Sequence, residues 1–103
     1  MKLFLDTTDN LRTLIKLDGE EFIKTHASPH QQDVLGYLSQ ILKKKLKDFK
    51  DISSIEVNPG PGSFTGTRVG VAIANALAFA LDIKVNGQNP PISAIYSYPP
   101  NIT

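Results

Sequence analysis

Asn58-Pro59-Gly60-Pro61-Gly62-Ser63-Phe64-Thr65-Gly66-Thr67-Arg68-Val69-Gly70 is the stretch on which the fold turns. It follows an apolar run of strand length and opens an apolar helix expected over residues 63–81. Glycines allow close backbone approach, and a helix N-terminus offers free amides with partial positive charge, a combination suited to phosphate. The spacing meets neither common nucleotide signature. A Walker loop needs Gly-Lys-Ser/Thr, and the one basic residue nearby, Arg68, lies inside the helix. A dinucleotide fingerprint puts its third glycine three residues after the second, whereas Gly62 and Gly66 are four apart. Pro59 and Pro61 also remove two amides. Two readings stand side by side: a phosphate loop, or a tight turn with Ser63 as helix cap.

The helix itself carries more. Gly66, Gly70, Ala74 and Ala78 recur every four residues, a small-residue groove that admits another backbone. Val69, Ile73, Leu77 and Leu81 form a bulky ridge, expected to sit on a sheet. The opposite arc still holds Phe64, Val71 and Phe79 beside only Arg68 and Asn75. A helix apolar nearly all round is buried on more than one side. The expected second neighbour is a partner surface; the alternative is the chain's own C-terminal stretch. The uncharged run 69–81 falls short of the ~20 residues a bilayer requires, so no membrane is expected.

Outward from this segment, residues 52–57 read as a strand that follows a helix and so runs parallel to an earlier one. Leu3-Phe4-Leu5 ends in the turn formers Asp6-Thr7-Thr8-Asp9-Asn10, which gives a strand over 2–7. Alternation continues over 11–17, Asp18-Gly19 makes a tight hairpin, and 20–26 is the third strand. Ser28-Pro29-His30-Gln31 carries helix-start chemistry, and Val34, Leu35, Leu38, Ile41, Leu42, Leu46 and Phe49 keep the helical period, so a helix is expected over 29–47. A short fifth strand over 81–85 ends at Asn86-Gly87. The expected fold is α/β, βββαβαβ, a mixed sheet with helices packed on it. Residues 1–87 form one lobe, and 88–103, with four of the seven prolines, form a tail whose Ile92, Ile95, Tyr96 and Tyr98 pack on the body.

The 103 residues, 41% hydrophobic and 20% charged, suit a single folded domain. A formal charge of +1 gives no overall attraction to nucleic acid or membrane. The absence of cysteine excludes disulfides, thiolate metal sites and cysteine nucleophiles. The start meets Asp6 too early for a signal peptide, so a cytoplasmic address is expected. Residues 52–103 hold only four charges, Glu56, Arg68, Asp82 and Lys84. Lys43-Lys44-Lys45-Lys47 reads as a solvated helix end that suits the macrodipole, with a tRNA-phosphate patch as the other reading. A two-metal nuclease would need converging acids, but Asp6 is met by Asn58 rather than by a carboxylate. His26 and His30 have zinc-like spacing, but Pro29 between them breaks the shared helical face. No Ser/His/Asp set has usable spacing.

L-F-L-D-T-T at 3–8 and G-P-G-S-F-T-G-T-R-V-G at 60–70, with the Ala-rich helix after them, resemble the TsaB (YeaZ) family of tRNA threonylcarbamoyladenosine biosynthesis proteins. The resemblance covers residues 1 to about 87. It implies a ribonuclease H-like lobe of the actin/sugar-kinase/Hsp70-like kind, one of the two that family members normally carry. It further implies a non-catalytic subunit that supports a TsaD-like catalytic subunit, and pairs with itself when alone, through helices mapped here to 29–47 and 63–81. The expected contact residues are Tyr37, Ile41, Arg68, Val71, Ala72, Asn75 and Phe79. A TsaE-like ATPase is a further implied partner, and tRNA would be met only indirectly. Asp6, Thr7, Thr8, Gly60, Gly62 and Ser63 would be the remnant of a phosphate loop. No cofactor is expected; Mg-ATP would bind only at a site shared with the partner. A kinase-like ATPase half-site and a stand-alone homodimeric binding module are the alternatives.

Overall fold

A computed structural model of the chain describes residues 1–95. The strands β1 (Lys2–Asp6), β2 (Arg12–Leu17), β3 (Glu20–Thr25) and β4 (Ser54–Val57) form one sheet in the order β3-β2-β1-β4. β1–β2 and β2–β3 are antiparallel and β1–β4 is parallel, with Leu3 opposite both Leu17 and Ile55. The helices are α1 (Val34–Lys44) and α2 (Phe64–Leu81). Leu3, Leu5, Ile15, Leu17, Ile55 and Val57 occupy alternate positions, so the pleat turns all six to one face, where none is more than 3% exposed. α1 brings Val34, Leu38, Ile41 and Leu42 to that core, and α2 brings Val71, Ala74 and Ala78. Each large side chain buried there contributes roughly 1.5–3 kcal/mol.

Asp18 and Gly19 both have positive φ, 49° and 86°, the hairpin geometry expected of Asp-Gly. The first helix differs from its reading at both ends. Residues Pro29–Gln31 make only a 3-10 turn, in which the Gln31 side chain accepts a bond from the Ala27 amide and Ser28 caps nothing. Asp33 is the true cap: its side chain accepts from the Gly36 amide at 3.0 Å and starts α1 there. At the other end Leu46 adopts φ 56°, the Lys47 amide bonds back to Leu42 and the Leu46 amide to Lys43, which closes the helix in a Schellman motif. Leu46 is therefore 93% exposed instead of continuing the stripe, and Phe49 sits in a separate 3-10 turn, Phe49–Asp51.

The fifth strand shrinks to isolated bridges at Val85, parallel to Ile55 and antiparallel to Gln88. Asn86 completes the edge with its side chain. Its Oδ1 accepts from the Val57 amide at 2.8 Å, and its Nδ2 donates to the Val57 carbonyl at 3.0 Å. An amide side chain thus reproduces the donor–acceptor pair of a strand residue, and no further backbone is needed.

The two apolar stripes of α2 exchange roles. The small-residue stripe faces inward: Gly66, Gly70, Ala74 and Ala78 are buried, with Thr67 and Val71. Val69, Ile73, Leu77 and Leu81 are only partly buried, along a flank. The reason is contact distance. A Cβ on Gly66 would collide with the Thr7 carbonyl, and one on Gly70 with the Thr7 hydroxyl, so only glycine lets α2 lie this close to the end of β1.

Candidate functional site

The parallel pair β1–β4 brings two loops together at the carboxyl ends of its strands, residues 7–11 and 58–63, the usual place for a ligand in an open α/β sheet. Asp6 joins them. Its Oδ1 accepts from the Thr8 amide at 3.0 Å and the Thr8 hydroxyl at 2.7 Å, and its Oδ2 accepts from Asn58 Nδ2 at 3.1 Å. The Ser63 amide donates to the Thr8 carbonyl at 2.7 Å, and a Cβ on Gly62 would strike Thr8. The Thr7 hydroxyl, buried, donates to the Gly66 carbonyl at 2.6 Å. Ser63 caps α2 through the Gly66 amide at 3.0 Å. All six residues of the phosphate-loop reading are thus gathered at one point.

Their polar groups are turned toward each other. Partial burial pushes the Asp6 carboxyl up, but the bonds from Thr8 and Asn58 and the Arg12 charge outweigh it and hold the group below the usual carboxylate value. The Gly60 amide bonds to Asn58 Oδ1, and the Ile95 carbonyl fills the space over Gly60. Pro59 and Pro61 have no amide to give. An ionised carboxylate stands at the centre, its donors engaged within the two loops. Among the described residues no three His, Asp or Glu side chains gather as metal ligands. Asp9 accepts from the Leu11 amide, and His26 contacts the Thr13 hydroxyl at 3.0 Å.

α2 presents the second feature. Its outward arc carries Phe64, Thr65, Arg68, Ala72, Ala76, Phe79 and Ala80, all exposed, Phe79 by 61% and Phe64 by 44%. The Arg68 guanidinium lies 5.1 Å from the Phe64 ring centre. Three of the expected contact residues do not lie open on this surface. Val71 and Ile41 are buried at 6% and 4%: α2 is rotated so that Val71 joins its inward small-residue stripe, and Ile41 belongs to the apolar stripe by which α1 meets the core. Asn75 is taken by the chain's own C-terminal stretch: its Oδ1 accepts from the Ile92 amide and its Nδ2 donates to the Ile92 carbonyl, both at 2.9 Å. That stretch covers one flank of α2 and returns to the loop, where the Ile95 amide meets the Pro59 carbonyl at 2.6 Å. The packing expected of Tyr96 and Tyr98 lies outside the described residues. Tyr37 is half-buried, and its hydroxyl is raised by that burial. Thr65, Ala76 and Ala80 were missed on the outward arc, although a helical wheel centred on Ala72 includes them. By length and composition α2, with mean hydropathy 1.4, could cross a membrane; a third of it is buried inside this fold.

The family model for TsaD, tRNA N6-adenosine threonylcarbamoyltransferase, matches residues 24–96. The chain is 34% identical over 88 residues to the tRNA threonylcarbamoyladenosine biosynthesis protein TsaB of Haemophilus influenzae, covering 81% of this chain and 36% of that one. It is 50% identical over 48 residues to TsaB of Bacillus subtilis, covering 47% and 18%. YeaZ from Pseudomonas aeruginosa superposes with a TM-score of 0.66 at 28% identity, covering 82% of this chain and 42% of that chain. The chain belongs to the TsaB (YeaZ) family. Its fold is accordingly the ribonuclease H-like lobe of the actin/sugar-kinase/Hsp70-like class. The chain spans less than half the length of these relatives.

Proposed function

We propose that this TsaB-type lobe is a non-catalytic scaffold subunit in tRNA threonylcarbamoyladenosine biosynthesis. It pairs with a TsaD-like catalytic subunit through α2 and the adjoining surface of α1, and with a second copy of itself when alone. The observation that carries this reading is the outward arc of α2, where Phe79, Ala72 and Ala76 are exposed beside the single charge of Arg68. An apolar strip of this kind gains roughly 25 cal/mol for each Å² covered by a partner. The engaged polar groups around Asp6 support a structural rather than a catalytic role for that loop pair.

The test replaces Ala72 and Ala76 with glutamate, two exposed helix positions that accept charge in the free chain. Helix content by circular dichroism should stay unchanged, while co-purification with a TsaD homologue and self-association in sedimentation should both be lost. Retained pairing with the fold intact would refute the assigned surface.

A further inference from the structure

Among the described residues β3 ends the sheet, with β2 on one side and no strand on the other. The two-residue turn makes Leu17 and Glu20 a hydrogen-bonded pair, and the bond from the His26 amide to the Leu11 carbonyl keeps the same parity at the far end. Glu20, Phe22 and Lys24 therefore turn their backbone groups toward β2, and Glu21, Ile23 and Thr25 turn theirs outward. This edge carries no proline within its six residues and is exposed at five of them.

α1 runs antiparallel alongside it. Lys45, after the end of α1, bonds to Glu20 and lies 5.7 Å from the Phe22 ring centre, and Lys24 lies 5.6 Å from that of Tyr37 near the start of α1. Between strand and helix is a groove of about 290 Å³ lined by Phe22, Tyr37, Gln40, Ile41, Lys44 and Lys45, with Glu20 at its end. The acids of this region are engaged: Glu20 with Lys45, Glu21 with Lys16 on the other face, Asp33 at its helix cap, and Asp48 with Asp51 in a capping box. Lys24 and Lys44 form no ion pair among the described residues.

We propose that the outer edge of β3 and the β3–α1 groove dock an extended acidic peptide, which adds to the sheet as a further strand. Main-chain bonds to Glu21, Ile23 and Thr25 hold the peptide, and alternate side chains enter the groove. There the acidic side chains meet Lys24 and Lys44, while the apolar alternates lie on the opposite face beside the exposed Ile23. This goes beyond the scaffold function: it uses the edge of β3 and the side of α1 that faces it, and no residue of α2.

The full chain is titrated into fluorescein-labelled peptides of alternating valine with glutamate or with lysine, followed by anisotropy and amide exchange. The valine–glutamate peptide should saturate and slow exchange at Glu21, Ile23 and Thr25, and the valine–lysine peptide should bind at least about tenfold more weakly. The Lys24→Glu/Lys44→Glu variant, which leaves the core intact, should reverse that preference. Ile23→Pro, whose lost amide faces solvent, should abolish binding while keeping β-sheet content. No saturation would overturn the proposal, as would binding without protection of those three amides. Tighter binding of single-stranded oligouridylate without amide protection would assign the groove to RNA and overturn it too. Protection that rises with protein concentration in the absence of peptide would assign the edge to a second copy, with the same consequence.

Discussion

Replacing Asp6 with asparagine tests whether the β1–β2 and β4–α2 loops are held by a charge. The carboxylate accepts three hydrogen bonds, from the Thr8 amide, the Thr8 hydroxyl and Asn58 Nδ2. Asparagine can keep Oδ1 toward Thr8 but sets a second NH2 group against that of Asn58. One bond is then lost, at about 1 kcal/mol, and two fall from charge-assisted to neutral, together worth roughly 1 kcal/mol at a site that solvent reaches. The expected loss near pH 7 is about 2 kcal/mol, read as a fall of roughly 1 M in the urea midpoint for a slope near 2 kcal/mol/M. The pH dependence supplies the sharper criterion. The folded carboxyl lies below its ordinary value of 3.8, so its stabilisation is fully present above that value. It is lost as pH falls through the lower folded value, where the wild-type curve should descend to meet that of the variant. Equal midpoints near neutrality, or curves that stay parallel through the acid range, would refute the reasoning. Stabilisation of the wild type by Mg-ATP that the variant lacks would instead make Asp6 part of a nucleotide site.

Asn86→Gly keeps the positive φ of 52° but removes both side-chain bonds to Val57. Urea unfolding should show a loss of about 2 kcal/mol, and hydrogen exchange should quicken at the Val57 amide. Leu46→Gly removes a side chain that is 93% exposed and relieves a left-handed backbone, so the chain should gain roughly 1 kcal/mol in the same measurement.

Much of the fold was legible because its signals are local. An apolar run ended by turn formers marked β1, alternation marked β2, Asp18-Gly19 marked the hairpin into β3, and Ser63 marked the start of α2 at its true place. The ends of α1 were not legible, since Asp33 competes with Ser28 as a cap and nothing in a helical stripe marks Leu46 as the residue that turns left-handed. The fifth strand was overread because the side chain of Asn86 takes over the pairing role of backbone. The outward arc was half legible: Arg68, Ala72 and Phe79 are exposed as expected, while Val71, Ile41 and Asn75 are engaged within the chain.

By itself the chain's order of residues determined the elements, their sequence along the chain and the apolar character of α2, because dihedral preference, capping and periodicity act over a few neighbours. Which side of α2 meets the sheet was decided only in three dimensions. A bulky ridge and a glycine stripe are equally apolar on a helical wheel, but only the glycine stripe has room for the carbonyl and hydroxyl of Thr7. The same contact leaves Phe79 and Ala72 facing outward and draws Asn75 to Ile92, so the surface open to a partner follows from a packing distance that no local pattern records.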